Sequence, residues 1–371
     1  MVKVTHMSRP TQIIIDLSAI KANCTLARSL APLSNIVAVV KADAYGHGAI
    51  EVAKALEPQV QMLTVSCLEE AQSLRRGGIS KAILLLEGCF SEAEIFIAEQ
   101  LNLQLVVHNQ QQVDQLINTR LNSQLKIWLK IDTGMHRLGI APESVEDIYQ
   151  QLSACPNVSD VVLTTHFASA DRLDSDFTLT QLSLYKQAVS NIIEQANEPI
   201  EQSIANSAGV LAWPQSRLDW NRPGIMLYGL SPFANSHEEA NKLVPAMTFK
   251  SQIIALRTIG AGESVGYGNT WIANQSSVIA TVAVGYGDGY PRTAKSGTPV
   301  LVGGKRAKLV GNVSMDMICV DVTELHRVEI GDEVEMWGKI LSANEVATWA
   351  DTIGYELVTR MPTRAKRSYV C

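Results

Sequence analysis

Short apolar runs alternate with segments of helical character from about residue 18 to residue 230. Such an alternation is typical of βα units. Most of the runs are apolar throughout, as expected for parallel strands that are covered on both faces. The predicted strands lie at 36–40, 62–65, 82–86, 103–107, 127–131 and 161–165, with weaker ones near 202–206 and 222–228. Eight βα units in this length favour a closed (β/α)8 barrel of the TIM type, with an open doubly wound sheet as the alternative.

The sequence pattern changes after about residue 237. Short alternating segments separated by glycines follow, and the preceding residues 233–242 are polar and aperiodic. This pattern predicts a mainly-β C-terminal domain over 237–371 after an α/β barrel over 11–236. The apolar run at 12–16 precedes the eight barrel strands, so residues 1–16 are candidates for pairing with the second domain.

The composition favours small molecules as ligands. The 31 lysines and arginines against 37 aspartates and glutamates give a net charge of −6 without a basic block, which argues against a nucleic-acid partner. The six cysteines lack the paired spacing of a zinc site or a disulfide framework, so we expect reduced thiols and no metal. The chain starts without an apolar leader and has no apolar stretch near ~20 residues. We therefore expect a cytoplasmic protein without a membrane partner.

Reactive side chains recur where the predicted barrel strands end. Lys41 ends the first of these strands, and the carboxyl ends of the strands form the active-site face of a (β/α)8 barrel. An isolated lysine there is as well explained by a surface loop. Other reactive residue types, however, follow the later strands: Lys130, Arg137, His166, Ser207 and Arg222. A lysine that is desolvated and close to cations has a lowered pKa and can form a Schiff base.

Nine motifs resemble those of the alanine racemase family, in family order and over nearly the whole chain. They are VVKADAYGHG, KIDTGMHRLG, THFASAD, ANSAG, RPGIMLYG, ESVGYGNTW, VGYGDGYPR, GNVSMDM and TIGYEL. A set of this size is far more specific than any one short motif. Two features depart from the family pattern: asparagine is more common at the position of Asp43, and the tail after Tyr355 is less familiar.

The resemblance implies a pyridoxal-phosphate enzyme that interconverts L-alanine and D-alanine and supplies D-alanine for peptidoglycan. Lys41 would be joined to the cofactor and, once released, would act as the base on the D-alanine face. Tyr267 would be the base for L-alanine. A tyrosine with a pKa near ~10 needs a positive field or hydrogen-bond donors around it for this role, and His166 and nearby arginines would supply that field. The alternative is a serine or broad-specificity racemase of the same family, because one hydroxyl changes discrimination by only about 1–3 kcal/mol.

The resemblance also assigns contacts to the cofactor and the substrate. Arg222 would bond the pyridine nitrogen without protonating it, since arginine gives up its proton only above about pH 12, and His166 would support Arg222. Arg137 would bond the phenolic oxygen and the substrate carboxylate, and the backbone N–H of Met315 would also bind that carboxylate. The phosphate would be held by Tyr45, Ser207, Gly224, Ile225 and Tyr355.

Three of these assignments keep an alternative. Lys130 would carry a carbamate that holds Arg137 in place, and an unmodified lysine bonded to carbonyl groups is the other interpretation. Asp316 would orient groups of the site, although a turn aspartate fits the sequence equally well. Ser207 would either contact the phosphate or cap the helix that follows it.

Other classes of protein fit the motifs less well. A non-catalytic pyridoxal-phosphate carrier would end after the barrel, whereas this chain continues into the motif around Tyr267. A basic-amino-acid decarboxylase would need a catalytic cysteine and an acidic partner for the cofactor nitrogen, a position that Arg222 takes here. The resemblance further implies a homodimer in which the β domain of one subunit completes the barrel site of its partner.

Overall fold

A computed structural model of the chain describes residues 9–371. The helices are α1 (Leu17–Leu30), α2 (Ala49–Leu56), α3 (Leu68–Arg76), α4 (Glu92–Gln100), α5 (Gln110–Asn118), α6 (Val145–Ser153), α7 (Phe177–Gln195), α8 (Ser207–Ala212), α9 (Ala343–Trp349) and α10 (Gly354–Thr359). The strands of the first part are β1 (Gln12–Asp16), β2 (Asn35–Val39), β3 (Met62–Val65), β4 (Ala82–Leu85), β5 (Leu103–Val107), β6 (Leu125–Lys130), β7 (Val158–Thr164), β8 (Gln202–Ser203) and β9 (Trp220–Asn221). Those of the second part are β10 (Met247–Ile259), β11 (Ser264–Val265), β12 (Trp271–Ile272), β13 (Ser277–Val282), β14 (Pro299–Val302), β15 (Lys305–Val310), β16 (Ile318–Asp321), β17 (Glu333–Trp337) and β18 (Lys366–Val370).

The chain divides into two compact units. The barrel unit comprises Ile20–Leu227 and Ser231–Leu243. Of the described residues, the β unit comprises 9–19, Tyr228–Leu230 and Val244–Cys371. The limits expected from the sequence, 11–236 and 237–371, describe domains that fold separately, and they stay a prediction.

The barrel unit is built on eight parallel strands in the order β8-β7-β6-β5-β4-β3-β2-β9. The strands from β2 to β8 pair in sequence order, as βα units with short connections require. The last strand, β9, pairs with β2, the first strand of the barrel. Arg222 follows β9 and Ala205 follows β8, and the N–H of Arg222 donates to the carbonyl of Ala205 at 2.9 Å. This bond connects the two end strands of the sheet. The predicted (β/α)8 barrel followed by a mainly-β domain is confirmed.

Apolar side chains fill the interior of the barrel. Seven of its strands contribute one buried residue each to a single core cluster: Val37, Met62, Leu84, Val106, Trp128, Val162 and Trp220. The rings of Trp128 and Trp220 lie 5.8 Å apart between centroids. Because this interior is packed, the polar chemistry is confined to the ends of the strands.

The last predicted barrel strand was wrongly placed. The expected strand near 222–228 is instead β9 at Trp220–Asn221, and Ile225–Tyr228 forms a 3-10 turn. Pro223 lies between them and has no N–H with which to continue a ladder. The carbonyl of Pro223 still accepts the N–H of Val39 at 3.0 Å, and the chain leaves the sheet after this residue.

The β unit is a sheet with the strand order β13-β16-β15-β14-β17-β10-β1-β18. The early strand β1 pairs antiparallel with β10, with Gln12 opposite Lys250, and parallel with β18, with Gln12 opposite Lys366. Residues 12–16 thus pair with this unit, while residues 1–8 lie outside the described part of the chain. Among residues 9–371, no helix is long and apolar enough to cross a membrane.

Candidate active site

Lys41 lies at the carboxyl end of β2, two residues after the strand. It begins a turn in which residues 42–45 all have left-handed φ angles between 51° and 53°. Burial lowers the pKa of Lys41 and the charge of Arg137 lowers it further, whereas Glu87 and Glu70 raise it. The amine is therefore easier to deprotonate than that of a surface lysine, as Schiff-base formation and proton transfer both require.

Lys130, the last residue of β6, shares this end of the barrel with Lys41. Burial, followed by the charges of Arg222, Arg137 and Lys41, lowers the pKa of Lys130 to about 8. These mutual effects place the four side chains in one another's field. We refer to Lys41, Lys130, Arg137 and Arg222 as the cation cluster.

The side chains of Lys41, Lys130 and Arg137 make no hydrogen bond or ion pair among the residues that the structure describes. Glu87 and Glu70 act on Lys41 without forming an ion pair, so they offset the converging positive charges only in part. Like charges that converge without a paired counter-charge are costly unless a ligand supplies one. The cation cluster is therefore arranged to receive an anionic group.

Arg137 is carried on a tight loop after β6. The Oδ1 atom of Asp132 accepts hydrogen bonds from the N–H groups of Gly134 and His136, both 3.0 Å long. Gly139 has a φ of +140°, and a Cβ there would come within 2.5 Å of the backbone nitrogen of Asp132. These contacts hold the loop in one conformation. Arg137 lies in this loop, which returns the chain to the barrel.

Arg222 is buried and bonded only to neutral acceptors. Its Nη1 donates to Thr164 Oγ1 at 3.0 Å and to the hydroxyl of Ser203. Its Nη2 donates to the carbonyls of Thr165 at 2.6 Å and Ile204 at 3.2 Å. Within the described chain the Nε–H has no protein acceptor. Burial lowers the pKa of Arg222 to about 10, so the guanidinium is still charged at neutral pH.

His166 follows β7 and lies against Arg222, with Nδ1 3.5 Å from Nη2. Because the guanidinium can only donate, Nδ1 is the acceptor of this contact. Burial, with the charges of Arg222, Lys130, Arg137 and Lys41, holds the pKa of His166 well below its ordinary value. The expectation that His166 adds positive charge to the site is therefore wrong, because the imidazole is neutral at neutral pH.

Ser207 is the first residue of α8 and not its cap. The cap is Asn206, whose side chain accepts the N–H of Gly209 at 3.0 Å, so the capping interpretation of Ser207 is wrong. The Ser207 hydroxyl instead accepts the N–H groups of Gly224 at 2.8 Å and Met226 at 3.3 Å. It thereby fastens the turn that follows Arg222.

Tyr45 and Ile225 meet Ser207 and Gly224 in the same region of the barrel mouth. A Cβ at position 224 would lie 2.8 Å from the Tyr45 hydroxyl, so only glycine allows this approach. Burial raises the pKa of Tyr45 to about 12, which keeps its hydroxyl protonated. The N–H of Ile225 has no acceptor among the described residues. Hydroxyls and an unused N–H suit an anion such as a phosphate.

In the β unit, Tyr267 occupies the tip of the hairpin formed by β11 and β12. Gly266 and Gly268 flank it with φ angles of 78° and 75°, values that glycine adopts without strain. The side chain of Asn312 donates to the carbonyl of Tyr267 at 2.7 Å. The Tyr267 side chain itself is 72% exposed in the single chain, so its position is fixed while its hydroxyl stays accessible.

Met315 lies in the loop between β15 and β16 of the same unit and is 52% exposed. Its carbonyl accepts the N–H of Gly287 at 2.9 Å, whereas its own N–H has no acceptor in the described chain. The neighbouring Asp316 pairs with Arg364. Tyr355, the last residue expected at the site, lies in α10.

A buried carboxylate, Asp288, organises this loop. Arg9 binds it through two bonds of 3.0 and 2.6 Å, and Arg364 approaches it at 3.1 Å. Arg9 also donates to the carbonyl of Asp316 at 2.7 Å. The C-terminal tail thus supplies Arg364 to the loop that carries Met315 and Asp316.

Several residues of the barrel mouth were not predicted from the sequence. Ser66, Glu87 and His108 follow β3, β4 and β5, as Lys130 ends β6. The Ser66 hydroxyl donates to Glu87 Oε1 at 2.8 Å, and His108 Nε2 lies 3.2 Å from the carbonyl of Glu87. The rule that found Lys130, a polar residue at a strand end, would have found these residues as well. A parallel barrel with reactive side chains at the carboxyl ends of its strands, in a chain that also carries a β unit, is typical of a two-domain barrel enzyme.

Comparisons with known proteins agree with this class and narrow it. Residues 15–232 match the family model for the N-terminal domain of alanine racemase, and residues 246–369 match that for the C-terminal domain. An alanine racemase of Pseudoalteromonas atlantica is 52% identical, over 98% of this chain and 100% of that protein. A catabolic alanine racemase of Pseudomonas putida is 45% identical, over 98% and 99% respectively.

A solved structure of the biosynthetic alanine racemase from Pseudomonas aeruginosa superposes with a TM-score of 0.93 at 46% identity. The match covers 98% of this chain and 100% of that one. The chain belongs to the alanine racemase family and is an isomerase that racemises alanine.

Proposed function

We propose that the chain racemises alanine with pyridoxal phosphate held at the mouth of the barrel. The observation that carries this proposal is the cation cluster. Three of its members, Lys41, Lys130 and Arg137, form no ion pair in the described chain, and the Nε–H of the fourth, Arg222, is unused. The cofactor carries a phosphate and a phenolic oxygen, which are the kind of groups that such a set of cations would stabilise.

The residues present fit the cofactor group by group. Lys41 would hold it covalently, and the Nε–H of Arg222 would donate to its ring nitrogen. The phosphate would lie against the N–H of Ile225 with Gly224 and the hydroxyls of Tyr45, Ser207 and Tyr355. When bound, the cofactor withdraws electrons from the α-carbon and makes the α-proton acidic. Arg222, with a pKa of about 10, keeps its own proton at neutral pH and contributes a hydrogen bond and a charge.

Two bases would move the α-proton. The Nζ atom of Lys41 would take or return it on the D-alanine face, and the hydroxyl of Tyr267 would do so on the L-alanine face. Arg137 and the N–H of Met315 would bind the substrate carboxylate and so hold the α-carbon between the two bases. Asp316 and Arg364 would keep the Met315 loop in place.

The accessible position of Tyr267 supports a homodimer with shared active sites. A base that acts beside a reactive carbanion is best covered from water, yet this side chain is 72% exposed in the single chain. We propose that Tyr267 of one subunit completes the Lys41 site of the partner subunit. A two-fold axis would make the two sites equivalent.

Lys130 belongs to the same proposal. It would carry a carbamate, whose negative charge would attract Arg137.

The location and role of the enzyme are proposed as well. The enzyme would be cytoplasmic, and its D-alanine would supply peptidoglycan. Relatives with biosynthetic and with catabolic names are almost equally similar to this chain, so the similarity does not choose between those two roles.

The direct test is an assay of the cofactor-loaded protein with a panel of L-amino acids, followed by chiral separation. We expect L-alanine to reach equal amounts of both enantiomers and L-serine to react more slowly. Comparable rates for alanine and serine would instead assign the broad-specificity activity. No racemisation of any amino acid would contradict the proposal.

A further inference from the structure

The turn that follows Lys41 is unusual for L-amino acids. Residues 42–45 are all left-handed, with φ angles of 51–53°, and none of them is glycine. The left-handed conformation costs roughly 1–2 kcal/mol for each such residue. A run of this kind persists only where surrounding contacts determine it.

Some of these contacts come from the turn itself. The N–H of Gly46, which has a φ of +77°, donates to the carbonyl of Ala42 at 3.0 Å. Oδ1 of Asp43 accepts the N–H of Ala49 at 2.7 Å. His47 Nδ1 lies 2.8 Å from the carbonyl of Tyr45. These bonds close the end of the turn that is distant from Lys41.

The beginning of the turn is held from the next βα unit by Glu70. One carboxylate oxygen, Oε1, accepts the N–H of Ala42 at 2.6 Å. The other oxygen, Oε2, accepts the N–H of Ser66 at 2.8 Å, directly after β3. The two bonds tie the residue after Lys41 to the end of the neighbouring barrel strand. Bonds from N–H groups to an ionised carboxylate are stronger than neutral ones.

We propose that Glu70 is a positioning residue for Lys41. By fixing the first N–H of the left-handed turn to the end of β3, Glu70 sets the direction in which the Lys41 side chain leaves the barrel wall. This inference rests on the proposed role of Lys41 as the base on the D-alanine face. Glu70 also raises the pKa of Lys41 through its charge, so the test must separate that effect from the bond to the backbone of Ala42.

A simpler role for Glu70 is to stabilise α3. Glu70 is the third residue of that helix, where a carboxylate favours the helix dipole. Glu69 lies beside it in the same turn and supplies the same dipole term, but no bond to Ala42. Glu69→Ala is therefore the matched control for Glu70→Ala.

The experiment follows L-alanine in deuterated water with the cofactor-loaded enzyme. Two rates are measured: racemisation, and deuterium incorporation into the L-alanine that is recovered without inversion. The second needs only Tyr267, whereas the first needs both bases. The ratio of the two rates does not depend on how much of the enzyme is active, so partial unfolding does not change it.

In Glu70→Ala we expect racemisation to fall on the order of 10–100-fold, because a displaced base loses its alignment. Exchange into L-alanine should fall less, so the ratio of exchange to racemisation should rise several-fold. Glu70→Gln keeps one acceptor for the N–H of Ala42 and should lie between Glu70→Ala and the unchanged enzyme. Glu69→Ala should keep the original ratio.

A second readout needs no cofactor. The cofactor-free full chain is labelled with acetic anhydride, and the labelling of Lys41 is compared by mass spectrometry with that of exposed Lys54. Glu70→Ala and Glu70→Gln both lack the charge that acts on Lys41, but only Glu70→Ala lacks the acceptor for the N–H of Ala42, so the relative labelling should differ between these two variants. Equal labelling of the two variants together with an unchanged exchange ratio would overturn the inference. Failure of the unchanged enzyme to racemise alanine would contradict the proposed function instead.

Discussion

Thr164 accepts a hydrogen bond from Arg222, with 3.0 Å between Oγ1 and Nη1, and both side chains are buried. The Thr164 hydroxyl donates its own proton to the carbonyl of Ser203 at 2.7 Å. Thr164 is therefore fixed as an acceptor toward the guanidinium. Neutral acceptors hold Arg222 without cancelling its charge, and the charge stays available to a ligand.

Replacing Thr164 with valine keeps the shape of the side chain and removes this acceptor. We expect a loss of about 1–3 kcal/mol in the free energy of unfolding, because a buried charged donor loses a partner. Cofactor binding should also weaken, since Arg222 is no longer held in one orientation. Urea unfolding and titration with pyridoxal phosphate measure the two effects.

Thr165→Val is the matched control for this prediction. Its hydroxyl donates to the carbonyl of Ile131 at 2.8 Å, whereas Arg222 uses only the backbone carbonyl of Thr165. This control should lose stability but keep its affinity for the cofactor. Equal affinity in both variants would show that Thr164 does not orient Arg222.

Lys130 gives a prediction about pH and carbon dioxide. A carbamate forms when a neutral amine adds CO2 and releases a proton, and the pKa of Lys130 is lowered to about 8. Carbamylation should therefore increase with CO2 and with pH up to about 8, and should decline below that value as the amine becomes protonated. NMR spectroscopy after addition of 13C-bicarbonate detects the modified lysine.

Lys130→Ala tests what the carbamate does. The variant should be impaired, because Arg137 loses the negative charge that holds it, and added small carboxylates should restore part of the activity. Lys126→Ala is a suitable control, since Lys126 lies on the same strand and pairs with Glu201. Full activity in Lys130→Ala would remove the proposed role.

Tyr267→Phe removes one hydroxyl and retains the ring. Racemisation should nearly cease in both directions, because the equilibrium constant ties the two rates together. Lys41 should nevertheless continue to exchange the α-proton of D-alanine with deuterated water. Mass spectrometry of each recovered enantiomer measures this exchange. Exchange into L-alanine rather than D-alanine would reverse the roles of the two bases.

Mixed dimers test the shared site. Lys41→Ala and Tyr267→Ala should each be inactive alone. In a mixed two-fold dimer, one site would carry both lesions and the other neither. Half of the dimers are mixed after full exchange of equal amounts, so activity should return to about a quarter of the original value. No recovery despite demonstrated subunit exchange would place both bases on the same chain.

The sequence predicted the parts of the fold that follow from local patterns. Continuous apolar runs indicated the first six barrel strands, because strands covered on both faces need apolar residues throughout. The last strand was misplaced because the apolar residues of Ile225–Tyr228 form a buried 3-10 turn after Pro223. Burial alone does not distinguish a strand from a turn in so short a segment.

The contacts that organise the site are long-range, and this explains why they were not predicted. Glu70 meets Ala42 over a separation of 28 residues, and Thr164 meets Arg222 over 58. The charge of His166 was wrongly expected because its pKa depends on four cations that only the fold brings together. Ser207 was expected from the sequence as a candidate cap of α8, but Asn206 takes that place.

Reduction of the cofactor-loaded enzyme with borohydride, followed by peptide mapping, identifies the lysine that holds the cofactor. Both Lys41 and Lys130 have lowered pKa values at the same barrel mouth, so the chemistry of the amine alone does not decide which one holds the cofactor. If Lys41 holds the cofactor, the yellow absorption should be lost and the added mass should lie on the peptide that contains Lys41. Added mass on Lys130, or on any other lysine, would contradict this assignment.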